Sequence, residues 1–396
     1  MDLDRRGLAT LASGHAAADL CQGSIPALIP FLIAQRGYSY SAAGALLLVV
    51  TVGSSIIQPL FGGLSDRLHL WWLIPVGVGP SAIGIAGAGL THTFWLTCVL
   101  VGLGGLGVAA FHPEGARYAN YASGTRRGTG MSLFSVGGNT GFALGPILIT
   151  PAVLTLGLEG TALVAILPAI VAVVLAFEMP HLRERSAAAA KKVAAGRDSR
   201  EDDDVSAFVR LTAVVGFRSG VYFGLQSFAA VWLIREYGAT EGQGNAALAG
   251  MLACGAVGTL VGGRLVDRIG RRAVLLGSII AQIPLLLGFM LAPSELVAAV
   301  FLAGIGFVTI MSFSVSVVMG QEYLPSRLGL ASGVTLGLAI GLGGIAAALF
   351  GVMADHFGLT PVMWTIAALP LAGLSIAFTL PLTATESRLR PVQSVS

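Results

Sequence analysis

Charge is what this sequence lacks most. Only 11% of its 396 residues are Asp, Glu, Lys or Arg, against roughly 25% in a soluble domain. That is too little to cover a water-soluble protein of this size, and it argues against a soluble enzyme, a disordered chain or a nucleic-acid binder. The net charge of +3 is far too small to draw a polyanion. Cysteine is sparse too. Cys21, Cys98 and Cys254 stand far apart in apolar stretches, with no CxxC pair and no metal-ligand spacing, so neither a disulfide framework nor a metal centre is expected. They read as small buried hydrophobes. No GxSxG, HExxH, Walker loop or paired catalytic carboxylates occur, so neither an enzyme nor a cofactor is expected.

What is present is apolar. Hydrophobic residues make up 55% of the chain, and 54 glycines suit close helix packing in lipid. Apolar runs of about 20 residues are long enough to cross the ~30 Å hydrocarbon core. They fall at 8–34, 41–64, 72–90, 94–117, 128–150 and 158–179, then at 207–235, 244–265, 273–292, 296–320, 328–353 and 361–382. Backbone groups in lipid must be satisfied internally, so these are helices; the alternation of a β-barrel is absent. The expectation is an all-α integral membrane protein of twelve transmembrane helices, as two six-helix, pseudo-symmetric bundles at 1–180 and 207–396. The stretch 181–206 mixes six basic and six acidic residues with Ala, Gly and Ser, and reads as a hydrated linker.

Arginine sets the orientation. With the N-terminus in the cytoplasm, 20 of the 23 basic residues fall on inside segments, and only Arg36 and Arg235 lie outside. Arg218 lies within a span. Both termini are therefore expected in the cytoplasm, the protein being a multi-pass resident of a bacterial inner membrane. The opening MDLDRRG and its long apolar run read as an uncleaved first span rather than a signal peptide.

The halves repeat each other. GGLSDR (Gly62–Arg67) follows the second span and GGRLVDRIGRR (Gly262–Arg272) the eighth, and the same offset of 201 relates Asp66 to Asp267, Arg126 to Arg327 and Gly128 to Gly329. Six-helix repeats of equal topology joined by a cytoplasmic linker are the arrangement of the major facilitator transporters, whose best-known signature, GxxxDRxGRR, the chain resembles fully at Gly263–Arg272. At Gly62–Arg67 only GxxxDR is kept. The resemblance implies a cytoplasmic gating latch in which Gly62, Asp66, Arg67, Gly263, Asp267, Arg268, Gly270, Arg271 and Arg272 take part, with Glu322 as a latch or cap partner. Physically, Gly permits close helix approach, Asp faces a helix N-terminus and Arg pairs with a carboxylate. Simple positive-inside anchoring is the alternative for the arginines.

Three further segments narrow the resemblance: HAAADLCQGSIPALIPFL (His15–Leu32), AFHPEGAR (Ala110–Arg117) and MGQEYLP (Met319–Pro325). Together they resemble the fosmidomycin-resistance family of bacterial efflux transporters, which implies export of small molecules driven by proton entry. Gly141 to Pro146 resembles the GxxxGP core of an antiporter motif, and equally reads as a helix-packing GxxxG followed by a kink.

A charge at bilayer depth costs at least ~2.5–3.5 kcal/mol on insertion scales, so intramembrane polar residues are functional candidates. His15 and Asp19 are i, i+4 on the first span, and Gln22 continues that face. A midplane carboxylate that gains and loses a cationic neighbour suits proton loading and unloading, and His15 is placed to tune or relay it. Arg218 stands at matching depth in the seventh span and is expected to pair with Asp19 or to bind an anionic substrate group; Tyr222 and Gln226 follow as cavity residues. His112 and Glu114 flank Pro113 as an inner proton exit, with Arg117 placed to neutralise Glu114. Asn139 and Gln282 are possible hydrogen-bond donors to the cavity. The expectation is a proton-coupled secondary transporter working by alternating access, an exporter of small drug-like or anionic molecules. Its partners would be a small-molecule substrate, protons and the lipid bilayer, with no nucleic acid, and it would be monomeric. The alternative is a proton symporter or uniporter that takes up a sugar, organic acid or other small metabolite.

Overall fold

A computed structural model describes residues 3–58, 60–61, 64, 70–123, 127–193, 203–324, 330–331 and 333–382. Gly62, Asp66, Arg67, Arg126, Arg327 and the linker segment 194–202 lie outside the described residues, as does the side chain of Asp267.

Among the described residues there is no strand, and thirteen α-helices carry the chain. The first half holds α1 (Arg5–Arg36), α2 (Tyr40–Thr51), α3 (Leu73–Leu90), α4 (Phe94–Ala122), α5 (Arg127–Leu156) and α6 (Gly160–Val193). The second holds α7 (Val205–Tyr237), α8 (Glu241–Ile269), α9 (Arg271–Met290), α10 (Glu295–Met311), α11 (Phe313–Tyr323), α12 (Ala339–Phe357) and α13 (Leu359–Ala377). A π-helical turn at Val52–Ile56 extends α2, and another at Gly333–Leu338 leads into α12.

Ten segments are long and apolar enough to cross a membrane, where the sequence predicts twelve. Two features bear on the difference. Leu133–Glu184 is one apolar stretch of 52 residues that contains parts of both α5 and α6, divided by a 3-10 turn at Gly157–Glu159. The apolar stretch Tyr40–Ile56 is shorter than a full span. The first part of the stretch expected as linker is helical, because α6 runs on to Val193.

The repeat is visible in the caps. Asp4 caps α1 by accepting from Gly7 N, and Asp204 caps α7 by accepting from Ala207 N. Each aspartate's own N–H donates to the carbonyl that ends the fourth span of its half, Ala122 and Tyr323, both within 2.8 Å. Gly37 and Gly238 end α1 and α7 in the left-handed region, at φ 65° and 69°.

The buried side chains form three clusters. One draws on both halves: Leu20–Leu32, Ala43–Val50 and Val153 from the first, Val221–Leu233, Leu248 and Ala347–Ile366 from the second. The other two stay within a half. Leu8, Leu11, Ile74, Phe111, Ala119, Leu175 and Leu182 form one; Phe208, Leu211, Val274, Met319, Tyr323 and Leu380 form the other. The molecule is thus closed by a common core at the end of Arg36 and Arg235, and split into two cores at the end that carries Arg5, Arg6, Arg117, Arg210, Arg271 and Arg272. Between the halves, α2 packs on α12, α5 on α8, and α1 on α7.

Candidate functional site

α1 is buried along nearly its whole length, which is why a polar stripe on it matters. On that stripe His15, Asp19 and His112 of α4 come together at mid-depth. Asp19 is 7% exposed. His15 Nε2 lies 3.3 Å from Asp19 Oδ2, His112 Nε2 lies 3.3 Å from Asp19 Oδ1, and the two Nε2 atoms are 3.1 Å apart. Each histidine's other nitrogen is spoken for: His15 Nδ1 is 2.8 Å from Phe134 O, and His112 Nδ1 is 2.8 Å from Val108 O. The Phe134 ring stacks on His15 at 4.2 Å.

This geometry fixes a proton inventory. A carbonyl only accepts, so both Nδ1 atoms carry hydrogen. If the rings were neutral, both Nε2 atoms would present lone pairs, 3.1 Å apart and facing a carboxylate. In a low-dielectric interior that arrangement is strongly unfavourable. The cluster is therefore satisfied when it holds a further proton, or another cation, among two ring nitrogens and a carboxylate. Asp19 Oδ1 is buried with no aligned hydrogen bond, although His112 Nε2 is near, which leaves an acceptor in reserve. Of the three side chains, that of His112 is the most exposed, at 20%. The ligand atoms of these three residues all lie within 4.8 Å of one another, a spacing that suits a shared proton or a bound cation.

Gly138 of α5 makes room for it. A Cβ at Gly138 would stand 2.5 Å from His15 Nε2 and 2.7 Å from Asp19 Oδ2. The same helix presses Gly141 and Gly145 against the backbone of Ala16 and Gly23. The GxxxG of α5 therefore acts as a packing seam against α1.

Arg218 is 6% exposed in α7. It does not pair with Asp19, which corrects the pairing expected from their matching depth: the histidines hold the carboxylate. Arg218 Nη1 donates to Ser316 Oγ at 3.2 Å, and its guanidinium lies over the Phe313 ring at 5.2 Å. Among the described residues no carboxylate forms an ion pair with it. Tyr222 and Gln226 follow at one and two turns on the same face; Gln226 is 1% exposed, and its amide lies beside the Tyr222 hydroxyl without an aligned hydrogen bond. α7 thus carries a buried cation and a buried amide.

The other expected residues divide. Gln22 donates to Ser54 Oγ at 3.2 Å in the π turn and stays within the first half. Asn139, half-buried beside Gly138, makes no hydrogen bond among the described residues. Gln282 donates to Thr309 Oγ1 at 2.7 Å. Glu114 is not in the cluster with His112. Two positions along a helix point to nearly opposite faces, and Glu114 pairs with Arg117 at 2.9 Å. Glu322 pairs with Arg271, at 3.0 and 2.9 Å to its two oxygens, and Arg272 donates to Phe378 O at 2.8 Å. Gly270 takes φ 85° between α8 and α9, a conformation that favours glycine. Arg268 is exposed on α8. A Cβ at Gly263 would meet nothing within 4 Å; the close approach, to Met311, belongs to Gly262 instead. Sequence reasoning missed Ser316, Phe313 and the carbonyls of Phe134 and Val108, since no spacing marks a residue whose role is to face another helix.

Comparison with known proteins places this geometry. A family model described as Major Facilitator Superfamily matches residues 11–348, with a second match at 212–394. The chain is 30% identical to the fosmidomycin resistance protein of Escherichia coli (strain K12) over 374 residues, covering 94% of this chain and 92% of that protein. It is 34% identical over 372 residues to YfnC of Bacillus subtilis (strain 168), an MFS-type transporter, covering 93% and 90%. A bacterial homolog of the human lysosomal transporter Spinster, solved in an inward-facing and occupied conformation, superposes with a TM-score of 0.75 at 16% identity, covering 97% of this chain and 98% of that one. The nucleoside transporter NupG gives 0.72 at 15% identity, covering 94% and 98%.

Proposed function

This chain belongs to the major facilitator superfamily, and we propose that it is a proton-coupled exporter of small anionic or drug-like molecules. The observation that carries the proposal is the pair of mid-depth sites. His15, Asp19 and His112 form a cluster that needs a proton, and Arg218 is a buried cation with no carboxylate partner among the described residues. The 30% identity to a fosmidomycin resistance protein over nearly the whole chain supports export. The positive-inside rule puts the split, arginine-rich end in the cytoplasm with both termini, so this conformation is open inward. In this reading the bundles at 1–180 and 207–396 rock about the midplane. A proton that enters from outside rests on the cluster and leaves through His112, while substrate anion docks on Arg218 with help from Gln226 and Tyr222.

A second reading follows from one observation. Asp19 does not hold Arg218, so proton and anion are not rivals for one site in this state, and both fit at once. That geometry also serves symport.

Purified protein in liposomes that enclose a pH-sensitive dye separates the two. Under an imposed proton gradient, fosmidomycin or a related anion should release protons from the loaded side, and Asp19→Asn should abolish the signal. Arg218→Gln should raise the KM for anions about ten- to a hundredfold, the worth of a charged hydrogen bond. Proton movement in the same direction as substrate would establish symport. Wild-type coupling by Asp19→Asn protein would overturn the proton site.

A further inference from the structure

The end that closes the molecule carries a charged contact the sequence gives no hint of. Asp355, near the C-terminus of α12, reaches across from the second half to the first turn of α2. Its Oδ1 accepts from Tyr40 N and its Oδ2 from Ser41 N, both at 2.8 Å. The ion pairs Arg6–Glu178, Glu114–Arg117 and Arg271–Glu322 each stay within one half; Asp355 does not.

The start of α2 is built to receive it. The first N–H groups of a helix have no intrahelical partner and attract a negative charge. Ser39 caps the third, accepting from Ala42 N at 3.1 Å, and Ala43 N bonds Ser39 O. The first two, of Tyr40 and Ser41, are left for Asp355. The repeat mate α8 opens with a reciprocal capping box between Thr240 and Gln243, which satisfies the N–H groups of those two residues. In α2 the position of that glutamine holds Ala42, so Ser39 caps alone. The repeat offset places Leu154 where Asp355 stands; a Cβ at Gly242 of α8 would stand 3.5 Å from its methyl group. One of the two pseudo-symmetric seams thus carries a hydrocarbon at this position and the other a carboxylate on a helix dipole. The surrounding seam is close: Gly351 abuts the Tyr40 and Ser41 backbone, a Cβ at Gly44 would stand 2.5 Å from Ala347 O, and the Tyr40 ring meets Phe228 of α7 edge-on. Nearby, Asn245 Nδ2 donates to Ala27 O across the halves at 2.9 Å.

We propose that Asp355 is the latch of this closed end: its carboxylate on the N-terminus of α2 holds the halves together there, and the swing to the opposite state breaks those two hydrogen bonds. The contact is exposed and reversible, and rigid-body rocking of α12 away from α2 removes it without unfolding either helix. The inference rests on the alternating-access reading above.

The test uses full-length protein in lipid nanodiscs, with Cys21, Cys98 and Cys254 replaced and spin labels at His92→Cys and Pro293→Cys. These are exposed loop positions of opposite halves at the closed end. Asp355→Ala should raise the long-distance, open population about two- to fivefold, the range expected for an exposed carboxylate at a helix N-terminus. Asp355→Asn, which keeps the volume but turns one acceptor into a donor, should shift it in the same direction and serves if the alanine variant folds poorly. Thr240→Ala removes the matching cap from the repeat mate α8 without touching the Asp355 contact, and should leave the distribution as in wild type. Distances unchanged in both Asp355 variants, or shifted equally by Thr240→Ala, would overturn the latch. A wild-type distance that never responds to pH or fosmidomycin would overturn the alternating-access reading itself.

Discussion

His112 shows how one side chain acquires meaning from its surroundings. In the sequence it stands beside Glu114 across a proline, and the two read as a pair. In the structure Glu114 turns to Arg117, while His112 turns to Asp19 and His15 and keeps one edge toward water. Its proton is what keeps two nitrogens and a carboxylate from facing one another bare. The sign of a pH effect follows. Raising pH strips the shared proton and leaves the lone pairs opposed, so the packing of α1, α4 and α5 loses stability as pH rises. His112→Gln removes one lone pair and donates through its amide, so thermal unfolding of that variant should depend on pH less steeply than wild type on the alkaline side. Unfolding curves across pH in detergent would check this, and parallel curves for the two proteins would count against a shared proton. The same measurement with a chelator present should give superimposable curves, since no metal is invoked.

At the scale of elements, legibility tracked physical locality. Helices were readable because lipid forbids any other way to satisfy a backbone, and α1, α4 and α7 contain the apolar runs assigned to them. Their ends were less so: α6 runs to Val193, well beyond its apolar stretch, because Ala-rich chain continues a helix without needing lipid. The carboxylate and imidazole of α1 were readable because buried charge is rare. Their true partners were not, because facing is decided between helices. Gly138 is the sharpest case. It stands one residue from Asn139 and looks like any other glycine of α5, yet it packs directly against His15 and Asp19. Gly138→Ala should abolish proton coupling while α5 stays helical, since a methyl there displaces His15 or Asp19. Overpacking of this kind costs about 1–3 kcal/mol. Intact folding by circular dichroism with lost dye response is the expected result, and wild-type coupling would show that the cluster tolerates displacement.

For the whole molecule, the arrangement of cores turns a static shape into a statement about access. A core shared by both halves at one end, and two private cores at the other, marks the divided end as the one where the halves part. In the proposed reading the positive-inside rule turns that end to the cytoplasm: packing says which end is open, and charge says which side it faces. The halves are tied at the closed end by contacts of a breakable kind: the Asp355 carboxylate on α2, the Asn245 amide on the Ala27 carbonyl, and the edge-on rings of Tyr40 and Phe228. None demands that a helix unfold when it breaks, which suits a rocking motion. Single-cysteine proteins in oriented vesicles test this. Tyr222→Cys, beside the anion site, should react with a membrane-impermeant maleimide applied from the cytoplasmic face and not from the outer one. Asn245→Cys, which is buried at the closed end, should resist from both faces and become reactive from outside when Asp355→Ala is added. Reaction of Tyr222→Cys from the outer face alone would reverse the orientation and leave the fold standing. Equal reaction from both faces would mean that the seam between α2 and α12 does not seal, and the halves would then have to close on each other elsewhere.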